Sequence, residues 1–164
     1  MPIVLHRIDE RLIHGQVVVG WGSQLHPDRI VVVDDELARS TWEQELYCLG
    51  LPPDITAEFV GVADARRMLA SWRVGPERVI LLTRDAATMA RLAEGGLLRG
   101  SDVNVGGLHH APGRRQALPY VYLSESEAQA LRELAAEGVE VSARDLPGTR
   151  PVELDALLGG GTRR

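Results

Sequence analysis

The alternation of short aliphatic runs with helix-like stretches most constrains what this chain can fold into. Most of the runs carry aliphatic residues at consecutive positions, which is typical of strands buried on both faces of a parallel sheet. Strands that alternate with helices predict the α/β class: a single open, mainly parallel sheet with helices on both faces. About seven strands are expected, at Ile3–Leu5, Arg29–Val33, Ala57–Val60, Val79–Leu82, Val103–Val105, Tyr120–Leu123 and Val139–Val141.

The helix-like stretches carry their own start and stop signals. Asp64 is the expected N-cap of one helix, and Ser124 with Glu127 forms a capping box before another. Gly95 and Gly96 follow a third apolar stripe and are expected to end that helix. The predicted helices are Thr41–Leu49, Ala65–Trp72, Ala86–Ala93 and Ala128–Ala135.

Size and charge set the class of protein. A chain of 164 residues with 45% hydrophobic content suits one globular domain, predicted over residues 1–158. Residues 159–164 are rich in glycine and charge, and a flexible tail is expected there. The net charge of -5 argues against a nucleic-acid-binding surface.

The start of the chain has no signal-peptide pattern, and the sequence has no apolar run long enough to cross a bilayer. A cytoplasmic protein without membrane insertion is therefore expected.

The basic residues narrow the chemistry. All 18 are arginine, so a P-loop lysine, a Schiff-base lysine and a lysine general base are excluded. A phosphate group would have to be held by arginine, by backbone N–H groups or by a metal. Cys48 is the only cysteine, which excludes a disulfide framework and a cysteine-based zinc site within one chain.

One segment near the start, residues 7–16, combines a nucleophile with cations. It lies between the first predicted strand and an apolar helical stretch, and it contains His14 with Arg7 and Arg11. A neutral imidazole is a nucleophile, and arginines beside it would offset the charge of a phosphoryl group as it transfers. Gly15 allows close approach of the backbone, and the first N–H groups of the next helix can point at an anion.

Other polar residues follow the predicted strands. Sites in open α/β sheets lie beyond the carboxyl ends of the strands, where Asp34-Asp35, Thr83 and residues 104–110 are expected. Thr83 would either contact the phosphate or cap the helix that follows. These loops converge on one crevice if the strands that carry them are neighbours.

The segment Arg7 to Val17 resembles the active-site loop of the IIB components of the mannose/fructose/sorbose family of the bacterial sugar phosphotransferase system (PTS). The resemblance continues at Trp21, at residues 30–35 and at residues 104–109, and it covers nearly the whole chain. The sequence departs from the family pattern at Glu10, where aspartate is commoner, and at residues 145–148, where the family usually has Val-Pro.

The resemblance implies a phosphocarrier with a IIB-type fold. His14 would accept a phosphoryl group on Nδ1 from a phosphohistidine of a IIA partner and pass it to a sugar held by IIC/IID permease components in the membrane. Arg11 would be the principal phosphate ligand and Arg7 the supporting one. From their places in the loop, Asp9 is expected to orient an arginine or the imidazole, and Gly15 and Gln16 to donate to the phosphate. No cofactor, metal or nucleotide is expected, and the protein would associate peripherally with the inner face of the membrane.

Two other functions remain open on the sequence. The domain can be read as a regulatory phosphoacceptor that delivers no sugar phosphate, since its own sequence would look the same. A metal-dependent hydrolase built from His14, His109 and Asp34 is a third reading, although no metal-binding spacing of histidines supports it. A tryptophan at the surface would mark a homodimer face or a partner face.

Overall fold

The computed structural model describes residues 2–159 and contains one seven-stranded sheet. The strand order is β3-β2-β4-β1-β5-β8-β9, and every neighbouring pair is parallel except β8 and β9. The expected α/β class with a mainly parallel sheet is confirmed, whereas the predicted tail lies outside the described residues from residue 160 onwards. The strands of this sheet are β1 (Ile3–Ile8), β2 (Arg29–Val33), β3 (Thr56–Val60), β4 (Val79–Thr83), β5 (Asp102–Val105), β8 (Glu140–Ala143) and β9 (Val152–Glu153).

The prediction was wrong about the place of the segment Tyr120–Leu123. Its strand, β7 (Val121–Leu123), pairs antiparallel with β6 (Arg115–Leu118) in a separate two-stranded sheet. The seventh strand of the main sheet is instead β9, which pairs antiparallel with β8 at the edge. A two-residue strand has too few residues to carry a periodic pattern, so sequence reasoning missed it.

The helices are α1 (Gly22–Leu25), α2 (Thr41–Cys48), α3 (Val62–Val74), α4 (Ala86–Ala93), α5 (Glu125–Ala136) and α6 (Leu154–Leu157). The four predicted helices are present as α2 to α5, whereas the one-turn helices α1 and α6 were not predicted. The capping box of Ser124 and Glu127 is present at α5, and Asp85 caps α4 by accepting from the backbone N–H of Thr88 at 2.8 Å. The N-cap of α3 is Gly61 rather than Asp64, which lies in the first turn. Within residues 2–159, no helix is both long enough and apolar enough to span a membrane.

The two faces of the sheet have separate cores. Helices α3, α4 and α5 contribute Leu69, Met89 and Leu131 to the larger core on one face. On the other face, Leu12 and Val17 from the segment after β1 belong to a smaller core with residues of β2 and β4. This second core fixes the segment that carries His14 against the sheet, beyond the carboxyl end of β1.

Candidate active site

The loop after β1 is held by backbone hydrogen bonds to both neighbouring strands. The N–H of Asp9 donates to the carbonyl of Thr83 at 2.9 Å, and the N–H of Glu10 donates to the carbonyl of Gly107 at 2.9 Å. The loop then turns back, with the N–H of Leu12 donating to the carbonyl of Asp9 at 3.0 Å. Leu12 is fully buried and has a φ of 56°, an uncommon conformation for a bulky residue. Such strain persists only where surrounding contacts enforce it, and it is frequent at functional sites.

His14 lies at the end of this loop with its two ring nitrogens in different surroundings. Nε2 is 3.2 Å from Oδ2 of Asp9, at ion-pair distance but without the alignment of a regular hydrogen bond. Nδ1 accepts the backbone N–H of Gln16 at 3.3 Å. A lone pair on Nε2 would be repelled by the carboxylate, so the neutral ring carries its proton on Nε2 and its lone pair on Nδ1. The side chain is 15% exposed, which leaves it accessible from one side.

The backbone beside His14 borders open space. A Cβ added to Gly15 would meet nothing within 4 Å. The segment Gln16–Trp21 is a π-helix that continues into α1, an arrangement that is rare and is enriched at functional sites. The chain therefore leaves room for a small group next to Gly15, the residue that follows His14.

Asp9 is a fully buried carboxylate that contacts both His14 and Arg7. Burial acts to raise the pKa of Asp9, but the contact from His14 and the charge of Arg7 outweigh it and lower that pKa to about 2. Asp9 is therefore ionised at neutral pH, and its charge is fixed next to Nε2 of His14.

Arg7 is also fully buried, and each of its five N–H groups has an acceptor. Nε and Nη2 donate to Oδ2 of Asp9 at 3.3 and 3.0 Å. Nη1 donates to Oδ1 of Asn104 and to the carbonyl of Arg144, and Nη2 also donates to the carbonyl of Asp145. Burial lowers the pKa of Arg7. A guanidinium offers five donors, so none remains for a phosphate, and the expected supporting contact from Arg7 does not fit this arrangement.

Two glycines after β5 make room for these arginines. A Cβ on Gly106 would lie 2.7 Å from Nε of Arg7, and one on Gly107 would lie 3.4 Å from Nη2 of Arg11. Arginine can lie flat against this loop because both positions lack a side chain.

Arg11 is the accessible arginine of the site. Its side chain is 41% exposed, and its Nε lies 3.7 Å from Oδ1 of Asp9. Its Nη2 donates to Oε1 of Gln16 at 3.0 Å. Arg11 is therefore linked to His14 through Gln16, whose backbone N–H donates to Nδ1, and the contact of Arg11 with a phosphate stays a prediction.

Two of the residues considered on the sequence lie elsewhere. Thr83 is fully buried and its hydroxyl donates to the carbonyl of Asp85 at 2.9 Å, so it is not placed to contact a phosphate. Asp34 accepts from the backbone of Glu36 and from Nε of Arg84, and its strand β2 is separated from β1 by β4. Among residues 2–159, no three His, Cys, Asp or Glu side chains are grouped to hold a metal ion.

A charged network at the rim of the site was missed on the sequence. Oε2 of Glu10 lies 2.7 Å from Nδ1 of His109, and Oε1 accepts from Arg114 at 3.0 Å. Arg114 also donates to Glu127, the capping-box residue of α5. These contacts lower the pKa of Glu10, against the effect of its partial burial, and they raise the pKa of Arg114. The glutamate at position 10 was the only signal, because its length allows it to reach both partners.

A family model for the sorbose subfamily IIB component of the PTS matches residues 3–163. The chain belongs to this family. It is 39% identical over 144 residues to the mannose-specific EIIAB component of Escherichia coli (strain K12), a match that covers 88% of this chain. The chain spans 44% of the length of that relative. It is 31% identical to the fructose-specific EIIB component of Bacillus subtilis (strain 168), over 99% of both chains.

The solved structures agree with the fold. The IIBSor domain of the sorbose permease from Klebsiella pneumoniae superposes with a TM-score of 0.85 at 28% identity, covering 96% of this chain and 97% of that one. The resemblance inferred from residues 7–17 is confirmed at the level of family and fold.

Proposed function

We propose that this IIB component is a phosphocarrier whose phosphorylated atom is Nδ1 of His14. The observation that carries the proposal is that the two ring nitrogens of His14 have different neighbours. Nε2 faces the ionised Asp9, and Nδ1 faces the backbone amide of Gln16, next to the open space at Gly15. This orientation presents the nucleophilic lone pair of Nδ1 on the side of the ring that faces the amide of Gln16.

The reaction is in-line phosphoryl transfer between nitrogen and then oxygen nucleophiles. The lone pair of Nδ1 attacks the phosphorus of a phosphohistidine on a IIA partner, and the N–P bond of the donor breaks as the new one forms. Positioning and charge stabilisation supply the catalysis. In the second step the hydroxyl oxygen of a sugar presented by IIC/IID permease components attacks the phosphorus, the N–P bond to Nδ1 breaks and returns its electron pair to the ring, and the hydroxyl proton passes to solvent. The activity is that of a protein-Nπ-phosphohistidine–sugar phosphotransferase, in the cytoplasm and at the membrane only through the permease.

The residues of the loop have separate tasks in this proposal. Arg11 offsets the charge on the phosphoryl oxygens, because it is the arginine with accessible donors. The amide of Gln16, now on Nδ1, and that of Gly15 are free to donate to the phosphate once it is bound. Asp9 stabilises the proton on Nε2, and Arg7 holds Asp9 rather than the phosphate.

Phosphorylation from phosphoenolpyruvate tests the proposal. The protein is incubated with the general phosphocarrier proteins and a IIA partner, and its intact mass is measured before and after mild acid. We expect one acid-labile phosphate adduct that is absent from His14→Gln and present in His109→Gln, the control for another imidazole at the rim. An adduct that persists in His14→Gln would place the phosphorylated residue elsewhere.

A second measurement separates transport from regulation. Phosphorylated protein is mixed with membrane vesicles that contain a mannose-family permease, and radiolabelled sugar phosphate is counted. Loss of the adduct together with the appearance of sugar phosphate supports a transport role. A stable adduct with no sugar phosphate from mannose, fructose, sorbose or N-acetylgalactosamine would favour the regulatory reading.

A further inference from the structure

Trp21 links the proposed site to a distant loop. It is the last residue of the π-helix that follows His14, and it is only 6% exposed. Its ring centroid lies 5.3 Å from Cζ of Arg7, a cation–π contact in a buried setting. Its Nε1 donates to the carbonyl of Asp145 at 2.9 Å, and the same carbonyl accepts from Nη2 of Arg7 at 3.2 Å.

The loop that supplies this carbonyl is held in shape by its own side chain. Oδ1 of Asp145 accepts the N–H of Leu146 at 2.8 Å and the hydroxyl of Thr149 at 2.9 Å. This is the segment in which the sequence departs from the family pattern. The carbonyl of Asp145 accepts from both the guanidinium of Arg7 and the indole of Trp21. Trp21 and Asp145 therefore both contact Arg7.

We propose that Trp21 is a positioning residue for phosphoryl acceptance by His14. It acts through Arg7 and Asp9: the indole fixes the guanidinium, the guanidinium fixes the carboxylate, and the carboxylate fixes the proton on Nε2 of His14. The inference rests on the proposed function, but its first consequence, a single ring tautomer, concerns the unphosphorylated protein.

The substitution Trp21→Phe tests this chain of contacts, because it keeps an aromatic ring and removes the indole N–H. We expect a mixture of the two neutral tautomers of His14 in ¹H–¹⁵N NMR spectra, where the wild type gives the Nε2–H form alone. We expect the rate of phosphorylation by a IIA partner to fall about tenfold, the factor that one lost hydrogen bond of this kind produces.

Trp72→Phe is the matched control. Trp72 is also nearly buried, but it lies in α3 on the opposite face of the sheet, within the larger core. The Trp72→Phe protein should unfold at a lower urea concentration than the wild type. Its His14 tautomer and its phosphorylation rate should be unchanged.

The outcomes are separable. A Trp21→Phe protein with the wild-type tautomer and rate, destabilised like Trp72→Phe, would show that Trp21 only packs, and the inference would be overturned. If Trp21→Phe fails to fold, benzothienylalanine at position 21 replaces the N–H by sulfur at nearly constant volume, and the same two readouts apply. If the wild type is not phosphorylated on His14, the proposed function fails, yet the tautomer measurement still decides the role of Trp21.

Discussion

Gly106→Ala is the substitution that the packing of Arg7 makes most informative. The new Cβ would lie 2.7 Å from Nε of Arg7, a distance that requires either the loop or the guanidinium to move. Overpacking of a filled interior costs about 1–3 kcal/mol. Loss of one hydrogen bond from a buried charged donor costs a further ~1.5–3 kcal/mol.

The expected loss in the free energy of unfolding is therefore about 2.5–6 kcal/mol, or a fall in Tm of roughly 5–24 °C for a domain of this size. Urea denaturation followed by circular dichroism measures it. The phosphorylation rate should fall as well, since the displaced guanidinium carries Asp9 with it.

Two other glycines provide a graded control. At Gly107 a Cβ would lie 3.3 Å from Oδ1 of Asp9 and 3.4 Å from the flexible end of Arg11, so Gly107→Ala should cost about 1 kcal/mol or less. At Gly148 it would meet nothing within 4 Å, so Gly148→Ala should stay within about 0.5 kcal/mol of the wild type. If Gly106→Ala lost no more than Gly148→Ala, the tight packing of Arg7 against this loop would be refuted.

Three further predictions use other parts of the chain. Arg11→Ala should slow phosphorylation about 100-fold and change stability by less than about 1 kcal/mol, because its side chain is half-exposed; a stability loss without a rate loss would contradict its role. Ser124→Ala should cost about 1 kcal/mol by removing the capping bond from the N–H of Glu127, measured by urea denaturation, with Glu133→Ala at an exposed position of the same helix as control. Burial lowers the pKa of His6 to about 4, with the charge of Arg73 acting in the same direction, so the unfolded chain binds a proton that the folded protein does not as pH falls from 6.5 toward 4. Stability should therefore decline over that window, and His6→Leu should flatten the decline; an unchanged pH profile would contradict the assignment.

Local sequence patterns predicted most of the strands and helices, and they singled out the loop that contains His14 and Arg11. The aliphatic runs located six of the seven strands of the main sheet, and the capping box correctly placed the N-cap of α5 at Ser124. The order of the strands could not be predicted from the sequence. Whether the loops after β1, β4 and β5 lie together therefore became clear only from the topology, in which β1 lies between β4 and β5. His14 and Arg11 were proposed from the loop sequence and its resemblance to the IIB family, and their roles stay predictions.

Arg7 shows what the sequence could not reveal. Alternation along β1 places it on the face opposite His6 and Ile8, but its burial depends on acceptors 97 to 138 residues away in the chain. The pairing of β1 and β5, which brings the glycine pair at 106–107 against Arg7 and Arg11, could not be predicted from the sequence. The π-helix likewise has no local signature that separates it from an α-helix.

The buried pair of Arg7 and Asp9 is better explained by orientation than by stability. Removing two charges from water costs about as much as their attraction returns, and apolar residues of similar volume are often as stable in such places. The pair is fully buried, and Asp9 extends its contacts toward the surface through Nε2 of His14 at 3.2 Å and through Arg11, whose Nε lies 3.7 Å from Oδ1. In the neutral ring, a fixed negative charge beside Nε2 favours the proton on that nitrogen and leaves the lone pair on Nδ1, which an apolar pair could not do. Replacing both residues with apolar ones should therefore leave a folded domain that accepts phosphate poorly.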